Sequence, residues 1–391
     1  MSPRRALGIV GLAVLLAMSP WFAGSAVAPQ LRELWRLNTA QTGWLTTVVQ
    51  LGFVAGTAVA AVLNLADTVP LRGYFTACAL LAATANGAVA LLPGYGATLG
   101  LRFATGFFLA GVYPPAMKMA ATWYREGRGL AIGAVVGALT IGKAGPYLVH
   151  ALPHADALAV LRTASISAAA GGLLVGGAYR DGPFPFPRRP FSLGLVAVVV
   201  RHRETRLATA GYLGHMWELY AMWTWVPAFL AASIAARDGS VGAPSAVANL
   251  LAFGAIAAGG LGCLWGGWAA ARIGYAAVVT RAMAISGICC LLIGSLFGHS
   301  LLLLAPVMLL WGFFVVADSA QFSAMVTEAA PAHAVGTALT LQTCLGFLLT
   351  MVTIQLVPRF AERAGWPYAF TLLAVGPGFG IGAIRRLAAR P

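Results

Sequence analysis

The chain has 391 residues, of which 60% are hydrophobic and only 9% charged, with a net charge of +14. Soluble domains average roughly 25% charged residues, so these figures exclude a soluble fold of this size and make lipid the solvent for much of the surface. The positive charge does not point to nucleic acid, because the basic residues fall between apolar runs, as membrane orientation requires.

The chain opens Met1-Ser-Pro-Arg-Arg5 and continues in an apolar run to Ser25-Ala-Val-Ala28, which imitates a signal peptide. It reads instead as an uncleaved first helix, since cleavage would leave an odd number of spans and break an internal repeat. A span needs roughly twenty apolar residues. That rule predicts spans at 6–28, 42–63, 73–93, 98–121, 129–152, 159–178, 207–232, 245–270, 277–297, 301–325, 335–357 and 367–385. The expected fold is thus an all-α membrane protein of twelve transmembrane helices. Turn punctuation separates the spans, as in Pro93-Gly-Tyr-Gly96, Arg125-Glu-Gly-Arg128 and Pro331-Ala-His333. All five cysteines, Cys78, Cys263, Cys289, Cys290 and Cys344, lie inside apolar runs without metal-ligand spacing, and read as packing residues.

Basic residues orient the spans. With the N-terminus inside, the cytoplasmic segments hold Arg4, Arg5, Arg72, Arg125, Arg128, Arg180, Arg188, Arg189, Arg201, Arg203, Arg206, Arg272, Arg385, Arg386 and Arg390. The outer segments hold only Arg32, Arg36, Arg237, Arg359 and Arg363. This bias of roughly three to one places both termini inside, in a multi-pass protein of the inner (plasma) membrane. The hydrophilic segment 179–206 divides the chain into halves of about six spans, 1–178 and 207–391. Its prolines favour an extended linker. Its apolar piece Phe191–Val200 is too short to span, and is expected in the membrane interface. The halves echo each other. Leu63-Asn-Leu-Ala-Asp-Thr-Val-Pro-Leu-Arg72 follows the second span and Gly267-Trp-Ala-Ala-Ala-Arg-Ile-Gly-Tyr-Ala276 the eighth, at equivalent places.

These loops resemble the signature G-x-L-A-D-R-x-G-R-K of the major facilitator superfamily. The first copy keeps Leu65, Ala66, Asp67 and Arg72, with Leu63 and Pro70 where glycines belong. The second keeps Gly267, Arg272 and Gly274, with Ala271 in place of the aspartate. Arg102-Phe-Ala-Thr-Gly106 and Trp123-Tyr-Arg-Glu-Gly-Arg-Gly129 resemble the family's fourth helix and the loop after it. In this they are similar to the branch that carries organic anions and small oxyanions, cyanate-type carriers among them. Gly142-Lys-Ala-Gly-Pro146 partly matches a drug–proton antiporter pattern. The resemblance implies two pseudo-symmetric six-helix halves rocking about a central site, a small-molecule substrate and a conformational latch at Asp67, Arg72 and Arg272.

A charge in mid-membrane costs roughly 2.5–3.5 kcal/mol on insertion scales, so charged groups inside spans are candidates for function. They are Arg102, Lys143, His215, Glu218 and Asp318, whereas Lys118, Arg162 and Arg281 lie near span ends, where snorkelling suffices. Tyr212, His215, Glu218 and Trp225 recur at intervals of three or seven, which puts a polar stripe on one helical face. The stripe reads as a cavity face on which Glu218 and His215 exchange protons; the alternative is that the two only satisfy each other. Asp318, in the tenth span with Trp311 and Gln321 on the same face, is either a further proton site or a water-exposed gate residue near the cytoplasmic end. Arg102 could grip a carboxylate or oxyanion, or hold helices together through an internal ion pair. Lys143 lies on the stripe Gly129-x-x-x-Gly133-x-x-x-Gly137, which should pack closely against a neighbour, and it could neutralise an anion or meet Glu218 across the halves. Tyr212, Trp225, Gln50 and Gln342 complete the expected substrate contacts; Gln50 and Gln342 could equally be interhelical glue, as could Asn249 and Gln355. No phosphate loop, zinc motif or nucleophile elbow appears, so neither enzyme, cofactor nor metal is expected, and the partners are a small solute, protons and lipid, with the chain acting as a monomer. The alternatives are a proton-driven efflux pump for drugs or amphipathic compounds and, more remotely, a membrane receptor or enzyme.

Overall fold

A computed structural model describes residues 1–91, 94–124, 127–184, 191–239 and 246–389, without the side chain of Arg128. Pro93, Arg125, Glu126, Arg188, Arg189 and Arg390 lie outside the described residues. All described secondary structure is helical. The helices are α1 (Pro3–Ala17), α2 (Pro20–Ala26), α3 (Ala28–Trp35), α4 (Thr39–Val62), α5 (Leu65–Thr68), α6 (Leu71–Val89), α7 (Tyr95–Leu109), α8 (Tyr113–Ala121), α9 (Arg128–His150) and α10 (Ala157–Ala178). After the linker come α11 (Val196–Arg201), α12 (Arg203–Asp238), α13 (Ala246–Ile273), α14 (Tyr275–Leu292), α15 (Leu301–Ala317), α16 (Ser319–Ala329), α17 (Val335–Ala364), α18 (Trp366–Ala369) and α19 (Val375–Ala388).

Among the described residues, ten helices or helix pairs are long and apolar enough to cross a membrane. The expected third and fourth spans fall on α6 and on the pair α7–α8, which are not among those ten. Their shape has local causes. The chain turns at residues 110–112, and Pro114 and Pro115 open α8, where a missing N–H costs nothing. Gly111 clears the turn: a Cβ there would lie 2.3 Å from Cys78 Sγ. The first span is likewise broken, between α1 and α2, where Pro20 cannot donate. The Ser19 hydroxyl covers the break through Leu16 O and, across the bundle, Ala164 O, each at 3.0 Å. Leu173, Leu261 and Leu302 are exposed, as a lipid-facing surface requires.

Packing sorts the helices. α4 lies on α7, α6 on α10, and α1 on α9 and α10; α12 lies on α17 and α19, α13 on α15, and α14 on α15 and α19. Two extensive contacts join these sets, α9 on α13 and α4 on α17. The first is a seam of small residues. A Cβ at Gly137 would lie 2.8 Å from Gly260 O, and one at Gly133 would lie 3.2 Å from Cys263 O, so the glycine stripe of α9 packs closely, as its spacing predicts. The linker reaches the second set through Ser192, whose backbone N–H donates to Thr337 Oγ1 at 3.0 Å. Its apolar piece forms a short 3-10 turn and α11, with Leu193 and Val200 exposed.

Candidate functional site

An open vestibule of about 770 Å³ enters the bundle where α2, α3, α4, α9, α12 and α13 meet, at the end remote from the linker. Arg32, Glu33 and Arg36 stand among its walls, so its local charge is positive. Ser25, Thr46, Tyr147 and Thr224 are also among its lining residues. One helical turn deeper, about 6 Å at 1.5 Å per residue, the same four helices present Trp21, Gln50, Lys143 and Tyr220.

Lys143 is fully buried in this layer. Its Nζ donates to Tyr220 Oη at 2.5 Å and lies 3.7 Å from the centre of the Trp21 ring, a cation–π contact. The rings of Tyr220 and Trp223 stand 4.7 and 5.7 Å away. Among the described residues no carboxylate lies within 4 Å of this ammonium. Phe53 and Phe347 meet at 4.5 Å across the α4–α17 contact, and with Trp21 and Tyr220 they close the floor beneath the nest. Gln50 and Gln342 are buried, and neither amide has a hydrogen-bond partner among the described residues. Gln50 shares the Lys143 layer; Gln342 lies five residues before Phe347, beyond the floor.

Arg102 does not reach the vestibule. It is fully buried and spends its donors on Pro20 O (2.7 Å), Trp21 O (2.5 Å), Asn86 Oδ1 (2.9 Å) and Leu45 O (3.5 Å). Gly24 makes room, since a Cβ there would lie 2.8 Å from Arg102 Nε. The expected oxyanion grip is therefore corrected: in this conformation the guanidinium clamps α2, α4 and α6 to α7.

The polar stripe of α12 is corrected as well. Glu218 and Tyr220 are two residues apart, about 200° around a helix, and they face opposite ways. Glu218 turns into the second set, where Ser286 Oγ donates to Oε2 at 2.9 Å, and Cys290 Sγ and Trp311 Nε1 donate to Oε1 at 3.1 and 2.6 Å. Lys143 thus meets Tyr220 rather than Glu218. Nor does His215 pair with Glu218: its Nδ1 lies 2.9 Å from Asp318 Oδ1, with both residues buried. Tyr212 packs beside His215 and Phe322 and against Gly346. Only Trp225 of the stripe lines the vestibule, its Nε1 donating to Ile354 O at 2.8 Å.

The loop residues make their contacts within their own sets. Asp67 pairs with Lys118, which also donates to Ala66 O at 2.6 Å, so Lys118 is a partner rather than a snorkelling side chain. Arg72 Nε donates to Gly176 O at 2.7 Å. Arg272 lies 3.7 Å over the ring of Trp268, on its own helix. Sequence reasoning missed Trp21, Tyr220 and Phe347. Their one signal was the aromatic cluster of the seventh span and the Trp21-Phe22 pair of the first, which also fit lipid or core; Phe347 stands alone in the eleventh span and carried none.

Membrane-length helices in two sets, enclosing a vestibule over a buried cation, describe a membrane carrier. The profile of the Major Facilitator Superfamily matches residues 9–352, and the chain belongs to that family. It is a secondary transporter and not an enzyme. Among solved structures, the crystal structure of the human organic anion transporter MFSD10 (TETRAN) is similar, with a TM-score of 0.75 over 98% of this chain and 100% of that one, at 18% identity. A likeness at that identity is one of fold. No curated protein matches this sequence.

Proposed function

We propose that this transporter carries a small organic anion with a flat apolar body, by proton-coupled alternating access. The observation that carries the reading is Lys143: a buried amino group with no carboxylate within 4 Å among the described residues, one turn beneath a basic vestibule, between aromatic faces and an amide that has no partner among those residues. An anionic head would supply the missing charge, and Trp21 and Phe347 would take the apolar body. Ionisable side chains buried inside the spans, Lys143 among them, support a proton as the driving ion. The description of the fold structure's human neighbour as an organic anion transporter agrees with this substrate class.

In this reading α6 and α7–α8 are the third and fourth of twelve crossings. Residues 1–178 and 207–391 are the two halves, 179–206 is their linker, and the chain works as a monomer. With the basic segments on the cytoplasmic side of the inner (plasma) membrane, both termini are inside and the vestibule opens outward. The α9–α13 seam then closes the inner end, and the Asp67–Lys118 and Arg72–Gly176 bonds stiffen the first half while it rocks. Counterflow in proteoliposomes tests the substrate class. Aromatic sulfonates and carboxylates should exchange, and cationic dyes should not. Exchange of cationic dyes alone would favour instead a drug efflux pump, which the aromatic walls of the nest would also suit.

A further inference from the structure

We propose that Lys143 itself carries the coupled proton: its amine is neutral when the site is empty and takes a proton from the vestibule water as the anion binds, so that ammonium and anion cross as a neutral pair. This rests on the anion-site reading above. The hydrogen-bond inventory is the first support. Tyr220 is the one side chain hydrogen-bonded to Nζ among the described residues. As an ammonium, Lys143 donates to the hydroxyl oxygen; as an amine, it accepts the hydroxyl proton on its lone pair. The same 2.5 Å contact serves both states.

The second support is the charge count around the nest. On α9 itself the other groups are Arg128, Tyr147 and His150. The helices packed on α9 bring Arg4 and Arg5 of α1, Tyr113 and Lys118 of α8, Arg162 of α10, Cys263 and Arg272 of α13, and Glu328 of α16, with Asp318 at the head of α16. The helices α2 and α4 carry none, and α12 turns Tyr220 to the nest but His215 and Glu218 away from it. The two acids nearest the seam do not balance Lys143: Asp318 is already 2.9 Å from His215, and Glu328 is not within 4 Å of it. Arg102 adds a second uncompensated cation behind Trp21, bonded to that residue's carbonyl while Lys143 sits over its ring. A lone buried charge is costly, and a neutral amine or a paired ammonium avoids that cost.

The third support is Gln50, at the depth of Lys143 with its N–H donors unspent, ready to share the anion. The cycle balances. A hydronium ion in the vestibule gives its proton to the amine, the anion pairs with the ammonium, and on the far side the anion leaves and the proton returns to water. Neither the loaded nor the empty nest then carries net charge through the reorientation.

Naphthalene-1-sulfonate is the probe, because it stays ionised and cannot carry the proton itself. Its binding to the purified transporter in weak buffer should take up about one proton per anion, read with a pH indicator. Lys143→Arg, permanently charged, should bind it without proton uptake, and in proteoliposomes should keep exchange while losing net uptake. In the wild-type protein, net uptake should follow an inward proton gradient and ignore a potassium–valinomycin potential of either sign, a readout that needs no variant. Binding without proton uptake in the wild type, uptake that persists in Lys143→Arg, or uptake lost in Glu218→Gln would overturn the proposal while leaving the anion site standing. No binding of the probe to the wild type would overturn the anion site, and this proposal with it.

Discussion

Two buried ionisable groups face opposite sides of α12. On one side Lys143 reaches Tyr220 between the two helix sets, with one hydroxyl, aromatic faces and, among the described residues, no counter-charge within 4 Å. On the other, Glu218 lies inside the second set with three donors on its two oxygens. Both are buried to the same degree, so burial does not distinguish them. What differs is what each lacks. The carboxylate is already supplied by its neighbours and gains little from a ligand; the Lys143 amino group has no charged partner among the described residues and lies one turn beneath the vestibule. A deficit at the junction of the two helix sets marks a candidate site more sharply than a polar residue in an apolar helix.

The largest effect expected on stability falls on the satisfied side. Glu218→Leu strands the donors of Trp311, Ser286 and Cys290, and a buried unsatisfied group costs about 1–3 kcal/mol. Thermal unfolding of the purified protein should drop sharply, while the folded fraction still binds naphthalene-1-sulfonate. Unchanged stability would mean that Glu218 is not a structural centre, and would weaken the contrast with Lys143.

On the unsatisfied side, Tyr220→Phe removes one hydrogen bond worth about 1 kcal/mol and keeps the ring. Anion affinity should fall by roughly fivefold, with stability nearly unchanged. A large loss of stability without loss of affinity would make Tyr220 a packing residue. Smaller still is the effect on binding of Asp67→Asn, which loosens the Lys118 contact far from the nest. Transport should slow by a fewfold while equilibrium affinity stays the same; weakened affinity at normal turnover would contradict the stiffening role.

Much of the fold was legible before any coordinates. Runs of about twenty apolar residues gave ten spans their places, because lipid leaves the backbone no alternative to helix. The breaks were not legible. Pro20 and Pro114 can be seen in the sequence, but a break is stable only if something covers it, as Ser19 does through Ala164 O. Lys143 stood out as a charge in a glycine-rich span, and the glycines forecast a close seam, though not that α13 would form it. Its partner did not stand out, because the choice between Glu218 and Tyr220 depends on how α12 is rotated in the bundle, and depth along the helix is nearly the same for both. Arg102 was misread for a related reason: its acceptors are mostly backbone carbonyls, which any residue provides and no motif records.

In the proposed function the anion is held on the Lys143–Tyr220 side of α12 and not on its Glu218 side. Equilibrium binding of naphthalene-1-sulfonate to Lys143→Met and Glu218→Gln, measured side by side with the wild type, tests it most directly. Removing one member of a buried charge pair costs about 2–5 kcal/mol, so Lys143→Met should weaken binding by on the order of 100-fold, whereas Glu218→Gln should stay within about twofold of the wild type. Near-normal binding by Lys143→Met, with a large loss in Glu218→Gln, would contradict the account.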